Sequence, residues 1–304
     1  MNWFYFALGA MLLWSGSDLF SKIGCQSEKD KYSHLKMVTA VGLVMGLHAA
    51  YEIFIGGVEI SWQVILTYLP VSLLYILSMA IGYLGLRYIE LSISSPVCNS
   101  SGAIVAILTI MTVGVTSMNG WQIAALIMVC LGVIGLGIVQ MTEDDELRQA
   151  RQEKSNHKYA KSAVALLIPL IYCLLDALGT FADSIVLETL NEDSANVAYE
   201  LTFLAAGIVC AVYVYIIRRQ KPVWKTEPPK YIGAVFETAG QFCYIYALAD
   251  REHVMFSAPI ISAYCAVSVL LGRIFLKEKL SWKHYAAIAV TVAGIVILGL
   301  FDEL

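Results

Sequence analysis

The residues that could do chemistry sit as isolated polar faces inside apolar sequence. Trp14, Ser17, Asp18, Ser21 and Lys22 fall at i, i+3, i+4, i+7 and i+8, one face of a helix. Tyr172, Asp176, Thr180 (with Gly179) and Asp183 make a second such face, and Glu237, Gln241 and Tyr244 a third. Ser95, Asn99 and Gly102 add a fourth group, Ser262 and Tyr264 a fifth, and Tyr75 with Ser78 a sixth. Asp176 and Glu237 lie nearest the centres of their apolar segments, with no lysine or arginine at their depth in the chain. A lone carboxylate in a medium of low dielectric is costly to keep charged, so it takes up a proton or a cation. Such a group can exchange a proton for a cationic substrate, and tryptophan and tyrosine faces attract cations. Asp176 and Glu237 are therefore the proton-coupling candidates. The substrate-binding candidates are Trp14, Asp18, Tyr75, Asn99, Tyr172, Asp176, Thr180, Glu237, Gln241, Tyr244, Ser262 and Tyr264. The plainer alternative is that the acids hydrogen-bond hydroxyls and serve only packing. Asp18, one turn from Lys22, reads equally well as interfacial; Asp183 and Glu200, near helix ends, read as solvated, and His48/Glu52 as an interfacial i,i+4 pair.

The elements that must position these faces follow from composition. Of 304 residues, 59% are hydrophobic and 14% charged, against roughly 25% charged in soluble domains, so the chain is a membrane protein. A net charge of −4 argues against nucleic acid as a partner. A charge at mid-bilayer is expensive, so charge-free runs mark crossings. Residues 1–17, 37–51, 60–86, 162–175, 201–217, 253–272 and 284–301 each lack Asp, Glu, Lys and Arg. The uncharged run 91–142 is too long for one helix and is divided at Thr116-Ser-Met-Asn-Gly120; the segment between Lys230 and Asp250 holds only Glu237. These add up to ten crossings. The runs are continuous rather than alternating, which excludes a β-barrel. The fold class is an all-α membrane protein. The first segment lacks a basic n-region and reads as helix 1 rather than a leader. The seven cysteines show no CxxC pairing and read as small apolar fillers, and the five histidines lack ligand spacing; no metal or cofactor is implied. The ending Phe-Asp-Glu-Leu304 abuts the last crossing and is read as coincidental.

Basic residues set orientation. Lys22 to Lys36, Arg87, Arg148 to Lys161, Arg218 to Lys230 and Arg273 to Lys283 put nineteen bases on the odd-numbered loops, and Arg251 alone lies on the other side. This predicts cytoplasmic odd loops and both termini outside, in a cytoplasmic (inner) membrane. The polar stretch from Met141 separates two halves: residues 1–140, a charged cytoplasmic linker 141–161, and residues 162–304. The halves align. YLGLRYIELSISSP from Tyr83 sets beside YALADREHVMFSAP from Tyr246, with Ser94/Ser257, Pro96/Pro259 and Ala103/Ala266 at one offset of 163. Trp121 and Trp282 each open a fifth helix, and Trp14 to Asp18 pairs with Tyr172 to Asp176. Because five is odd, the two five-helix repeats are inverted, an architecture that places a substrate site near the midplane between them. Glycines 132, 135, 137, 294 and 299 are read as close helix contacts.

The segment Phe275-Leu-Lys-Glu278-Lys-Leu-Ser-Trp282, followed by the helix containing Gly294, resembles the glutamate turn and glycine-bearing last helix of the EamA-type drug/metabolite transporter (DMT) superfamily. The Ser-x-Pro starts at Ser94 and Ser257 fit as well, and the resemblance spans nearly the whole chain. It implies ten helices in two repeats and a transporter rather than an enzyme. Two features depart from it: Thr116 to Gly120 replaces the first glutamate turn, and the family's termini are commonly cytoplasmic. The family moves nucleotide sugars, amino acids, nucleobase-like metabolites, choline-like cations and drugs. With no GxxxxGK[ST] motif, the expectation is a secondary transporter working by alternating access on a cationic, zwitterionic or amino-acid-like metabolite, with proton coupling. The alternative is an exporter of neutral or anionic metabolites or drugs, the acids serving only protons. An intramembrane lipid-modifying enzyme would need clustered acidic motifs, and the one run, Glu143 to Glu146, reads as a solvated tether. Partners are a small molecule, protons and the bilayer; the fused halves let a monomer suffice.

Overall fold

The computed structural model describes residues 2–27, 30–88, 91–113, 119–141 and 163–301. The linker after Met141 with its acidic run, five bases of that linker, Lys29, residues 114–118 of the polar break, and the tail from Asp302 lie outside these residues. Every regular element described is helical. The α-helices are α1 (Asn2–Cys25), α2 (Ser33–Tyr51), α3 (Trp62–Tyr88), α4 (Leu91–Cys98), α5 (Ser101–Val113), α6 (Gly120–Met141), α7 (Ala163–Val186), α8 (Glu192–Ala211), α9 (Glu227–Leu248), α10 (Val254–Ser262), α11 (Tyr264–Phe275) and α12 (Trp282–Phe301). Six stretches are long and apolar enough to cross a bilayer: Ser33–Gly56, Trp62–Arg87, Gly120–Val139, Leu167–Val186, Glu192–Ile217 and Arg251–Phe275. Ser101–Thr112 and Trp282–Leu298 are shorter apolar helices. Leu47, Phe54, Leu66, Leu131, Val209 and Ile216 point outward, an exterior suited to lipid rather than water.

Local chemistry explains the boundaries. Asn119 and Gln122 exchange side-chain-to-backbone hydrogen bonds of 2.9 Å each, a capping box that starts α6 at the expected polar break. Asn191 caps α8 by accepting from the backbone N–H of Asp193 and Ser194. The turn before α12 closes through Lys277, at a left-handed φ of 57°, and the Glu278 N–H, which donates to the Gly272 carbonyl at 3.2 Å. The Glu278 carboxylate lies against Gly272, where a Cβ would come within 2.7 Å of it.

Two runs that the sequence presents as single crossings are broken. α4 stops at Cys98 and α5 starts at Ser101; α10 stops at Ser262 and α11 starts at Tyr264. The Asn99 amide donates back to the Ser95 carbonyl at 2.8 Å, and Ser15 of α1 donates to the Tyr264 carbonyl at 3.1 Å, so backbone acceptors at the breaks are satisfied by side chains.

Packing between the halves is reciprocal. α1 packs on α9 as α7 packs on α3, and α2 on α9 as α8 on α3, while α6 pairs with α12 and α2 with α8. The aromatic ring in the middle of each first helix rests on a glycine of the other half. A Cβ on Gly240 would come within 2.4 Å of the Trp14 ring, and one on Gly82 within 2.9 Å of Tyr172. Likewise Gly233 faces Ser21, and Gly179 faces Tyr75. All these equivalences carry an offset of 158, whereas the helix breaks match at about 163. The third helices therefore correspond at a different register from the Tyr83/Tyr246 match. The offset changes between the third and fourth helices, where five residues, Ala249 to His253, separate α9 from α10 and only two separate α3 from α4. Of the glycines read as helix contacts, Gly132 lies against Thr291 and Gly294 against the Ala125 carbonyl, but Gly135 faces open space.

The ends of the bundle differ in charge. At the basic face, loops after α1, α3 and the π-helical end of α8 meet: Arg87 donates to Ser33 Oγ at 2.8 Å and to the Asp30 carbonyl, and Lys36 to the Lys221 carbonyl at 2.9 Å. Asp30 bridges Lys36 at 2.7 Å and Lys230 at 2.8 Å. At the opposite face Arg251 pairs with Glu188, Tyr246 donates to Asp193, and Ser194 to the Glu59 carbonyl.

Candidate functional site

One cavity lies between the halves, and all twelve residues singled out from the sequence as substrate-binding line it. Its free interior is about 60 Å3, room for a few water molecules, so the residues close around a narrow space. α1 supplies Trp14 and Asp18; α3 supplies Tyr75; the α4–α5 break supplies Asn99; α7 supplies Tyr172, Asp176 and Thr180; α9 supplies Glu237, Gln241 and Tyr244; the α10–α11 break supplies Ser262 and Tyr264. The breaks meet here because Gly102 lets α5 and α10 touch: a Cβ there would lie 2.3 Å from the Ser262 hydroxyl.

Among the described residues, each acid in the cavity has serine partners and no base. Asp18 Oδ2 accepts from Ser95 at 2.6 Å and from Ser268 at 2.9 Å. Asp176 Oδ2 accepts from Ser101 at 2.7 Å, and Glu237 Oε2 from Ser17 at 2.7 Å. Ser268 on Asp18 and Ser101 on Asp176 cross between the halves in opposite senses, the same exchange seen in the glycine contacts. Lys22 does not pair with Asp18; its ammonium, 3% exposed, donates to the Leu86 carbonyl at 3.0 Å. The interfacial reading of that pair is thus replaced by a cavity acid and a buried helix-end cation. One or two serines per acid match what packing alone would require, but the Trp14 indole N–H, the Gln241 amide and the Ser21 and Tyr83 hydroxyls also line the cavity without a hydrogen-bond partner among the described residues. Unpartnered buried polar groups are rare in folded proteins and mark a place where a ligand or water binds.

The aromatic residues form a wall. Trp14 packs at 4.9 Å on Tyr244 and edge-on at 5.9 Å on Tyr264. Tyr75 and Tyr244 touch through their hydroxyls, and both donate to Thr180 Oγ1, at 3.2 and 3.0 Å. This layer ends the cavity toward the opposite face, while Ser21, Leu86 and Ser94 carry its lining toward the basic face.

Sequence reasoning overlooked several residues. Ser101, within the polar run Asn99 to Gly102, and Ser268, a lone hydroxyl in α11, both hold acids. Met79, Tyr83 and Tyr199 line the cavity from positions that look apolar in the chain. Asp183 and Glu200 are not solvated: both are fully buried. Glu200 accepts from Asn196 at 3.2 Å and pairs with His48 at 2.8 Å, so His48 bridges it and Glu52 between α2 and α8 instead of forming an isolated interfacial pair.

Residues 163–300 match the EamA-like transporter family. A solved crystal structure superimposes with a TM-score of 0.67 at 14% identity, covering 97% of this chain and 96% of that one, which establishes a shared fold. A search of the curated proteins finds no match to the chain. The chain is an integral membrane protein whose residues 163–300 are similar to the EamA-like transporter family.

Proposed function

We propose that the chain is a secondary transporter of a small zwitterionic or cationic metabolite, with an amino-acid-like molecule favoured. The observation that carries this reading is the composition of the cavity: carboxylates of Asp18, Asp176 and Glu237 share it with the unpartnered donors of Trp14, Gln241, Ser21 and Tyr83. Carboxylates suit an ammonium group, and N–H and O–H donors suit a carboxylate, so a zwitterion satisfies both sets at once. The aromatic wall supports the cationic end. Reciprocal packing supports ten crossings in two inverted five-helix repeats, and broken helices ending at a shared cavity support alternating access around a fixed site. Exchange of a proton at Asp176 or Glu237 for the ammonium supplies the coupling.

Proteoliposome flux is the test. With a panel of amino acids, quaternary amines, sugars and organic anions, uptake of zwitterions or cations is expected, and a pH gradient is expected to drive it. Movement of neutral or anionic compounds alone would favour export with the acids carrying only protons; no movement of any compound would end the transport reading. The basic face, with its loops in mutual contact, is assigned to the cytoplasm, which leaves both termini outside. A reporter fused at Leu304 is expected to read external, and a cytoplasmic signal would refute that orientation.

A further inference from the structure

Asp183 lies outside the cavity, behind its tyrosine layer. α7 places Asp176, Thr180 and Asp183 at i, i+4 and i+7, so one helix face runs from the cavity acid, through the layer, to a second acid near the opposite face. Tyr68 donates to Asp183 Oδ1 at 2.8 Å, and the Tyr75 hydroxyl also faces this carboxyl. The other oxygen, Oδ2, is buried without a partner among the described residues.

We propose that Asp183 is a proton-binding site separate from the cavity acids, loaded from the opposite face, and that its protonation releases the Tyr75–Tyr244–Thr180 layer. The groups facing it are Tyr68 and Tyr75 from α3, Tyr199 from α8 and Tyr244 from α9; Ser101 of α5 is taken by Asp176. None is a base, so among the described residues no fixed cation compensates a charge on Asp183, and Oδ2 can take a proton without displacing Tyr68. Hydroxyl bonds to an ionised carboxylate are about twice as strong as those to a neutral acid. The ionised form therefore holds Tyr68 firmly across the α3–α7 seam. Tyr75 lies two turns further along α3 on the same face and bonds Thr180 and Tyr244, so closure of the layer follows the state of Asp183. The neutral form loosens this tie. The inference rests on the transport reading for its purpose, but not for its test.

Cys98 lines the cavity and is a native probe of access. Full-length protein in oriented proteoliposomes is treated from the Arg251 face with a membrane-impermeant maleimide across a pH series. Alkylation of the Cys98 peptide is followed by mass spectrometry and normalised to unfolded protein. Wild type is expected to become more reactive on acidification. Asp183→Asn, permanently neutral and nearly isosteric, is expected to react about tenfold faster at neutral pH, with the acid-induced rise gone. Tyr68→Phe, which keeps the carboxyl, is expected to raise the neutral-pH rate as well, whereas Asp176→Asn is expected to retain the pH response. A wild-type profile in Asp183→Asn, or loss of the response in Asp176→Asn instead, overturns the assignment. If Asp183→Asn does not fold, an unchanged rate in Tyr68→Phe overturns it. A failed flux assay would remove the transport reading and leave this labelling result standing, so the two failures are distinguishable.

Discussion

Asp176→Asn protein in proteoliposomes is expected to bind its substrate about 10- to 100-fold more weakly, with the pH dependence of flux flattened. The substitution keeps the side-chain volume and an oxygen to accept from Ser101, which now donates at 2.7 Å, so the helix contact survives. What it removes is the charge. A hydrogen bond to a charged group contributes about 1.5–3 kcal/mol, which sets the expected change in half-saturation. Glu237→Gln should act in the same direction, since Ser17 can still donate to its amide oxygen. Packing glue and transport chemistry separate cleanly here. If the acids only tie helices together, both variants melt at lower temperature but saturate with substrate and respond to pH as wild type does. Unchanged saturation and unchanged pH response in both variants would sink the carboxylate mechanism.

The largest stability effect is expected from Asp30→Ala, in the loop between α1 and α2. Asp30, Lys36 and Lys230 are each no more than 2% exposed, and the one carboxyl serves both ammonium groups. Its removal leaves two buried cations with Glu227, at 3.4 Å from Lys230 and 3.8 Å from Lys36. Breaking a buried ion pair from one side costs about 3–5 kcal/mol, because the abandoned charge stays out of water. A loss of that order should appear as a much lower melting temperature and a poor yield of folded protein in detergent. Asp30→Asn, which can still accept hydrogen bonds, should fall between the two. Acid provides a second readout. Burial on its own raises the Asp30 carboxyl, but the ammonium groups of Lys230 and Lys36 outweigh it and hold the carboxyl below its usual range. Its stabilisation is therefore fully present above the unfolded value of about 3.9 and is lost as pH falls through the lower folded value. Wild type should lose melting temperature in that acidic window, and Asp30→Asn should show less of that loss. An Asp30→Ala protein as stable as wild type would mean that the lysines find other partners.

Much of the candidate site was legible because a helix face can be read from spacing alone. Trp14/Asp18, Tyr172/Asp176/Thr180 and Glu237/Gln241/Tyr244 recur at three and four residues, and a polar face in an apolar helix has little choice but to turn inward. That is why residues from six separate segments line one cavity. The burial of Asp183 and Glu200 was not legible, because it depends on Tyr68 and His48 arriving from other helices. The breaks after Cys98 and Ser262 were hidden for a related reason. Both lie inside uncharged runs long enough for one crossing, and a backbone acceptor at the second break is met by Ser15, some 250 positions away in the chain.

The sequence by itself determined that the chain is helical, that it lies in a membrane, which ends of the bundle are basic, and which faces are polar; hydropathy and helical period are local properties and need no partner. Only the tertiary structure decided the register of the third helices, where the Trp14–Gly240 and Tyr172–Gly82 contacts extend the 158 offset already visible in the Trp14/Tyr172 pairing and displace the Tyr83/Tyr246 match. It alone decided which hydroxyl meets which acid, that Asp30 joins Lys36 to Lys230, and that Asp183 sits behind a tyrosine layer rather than in water. Those outcomes rest on close packing and on the cost of unpaired polar groups away from water, which act between segments far apart in the chain.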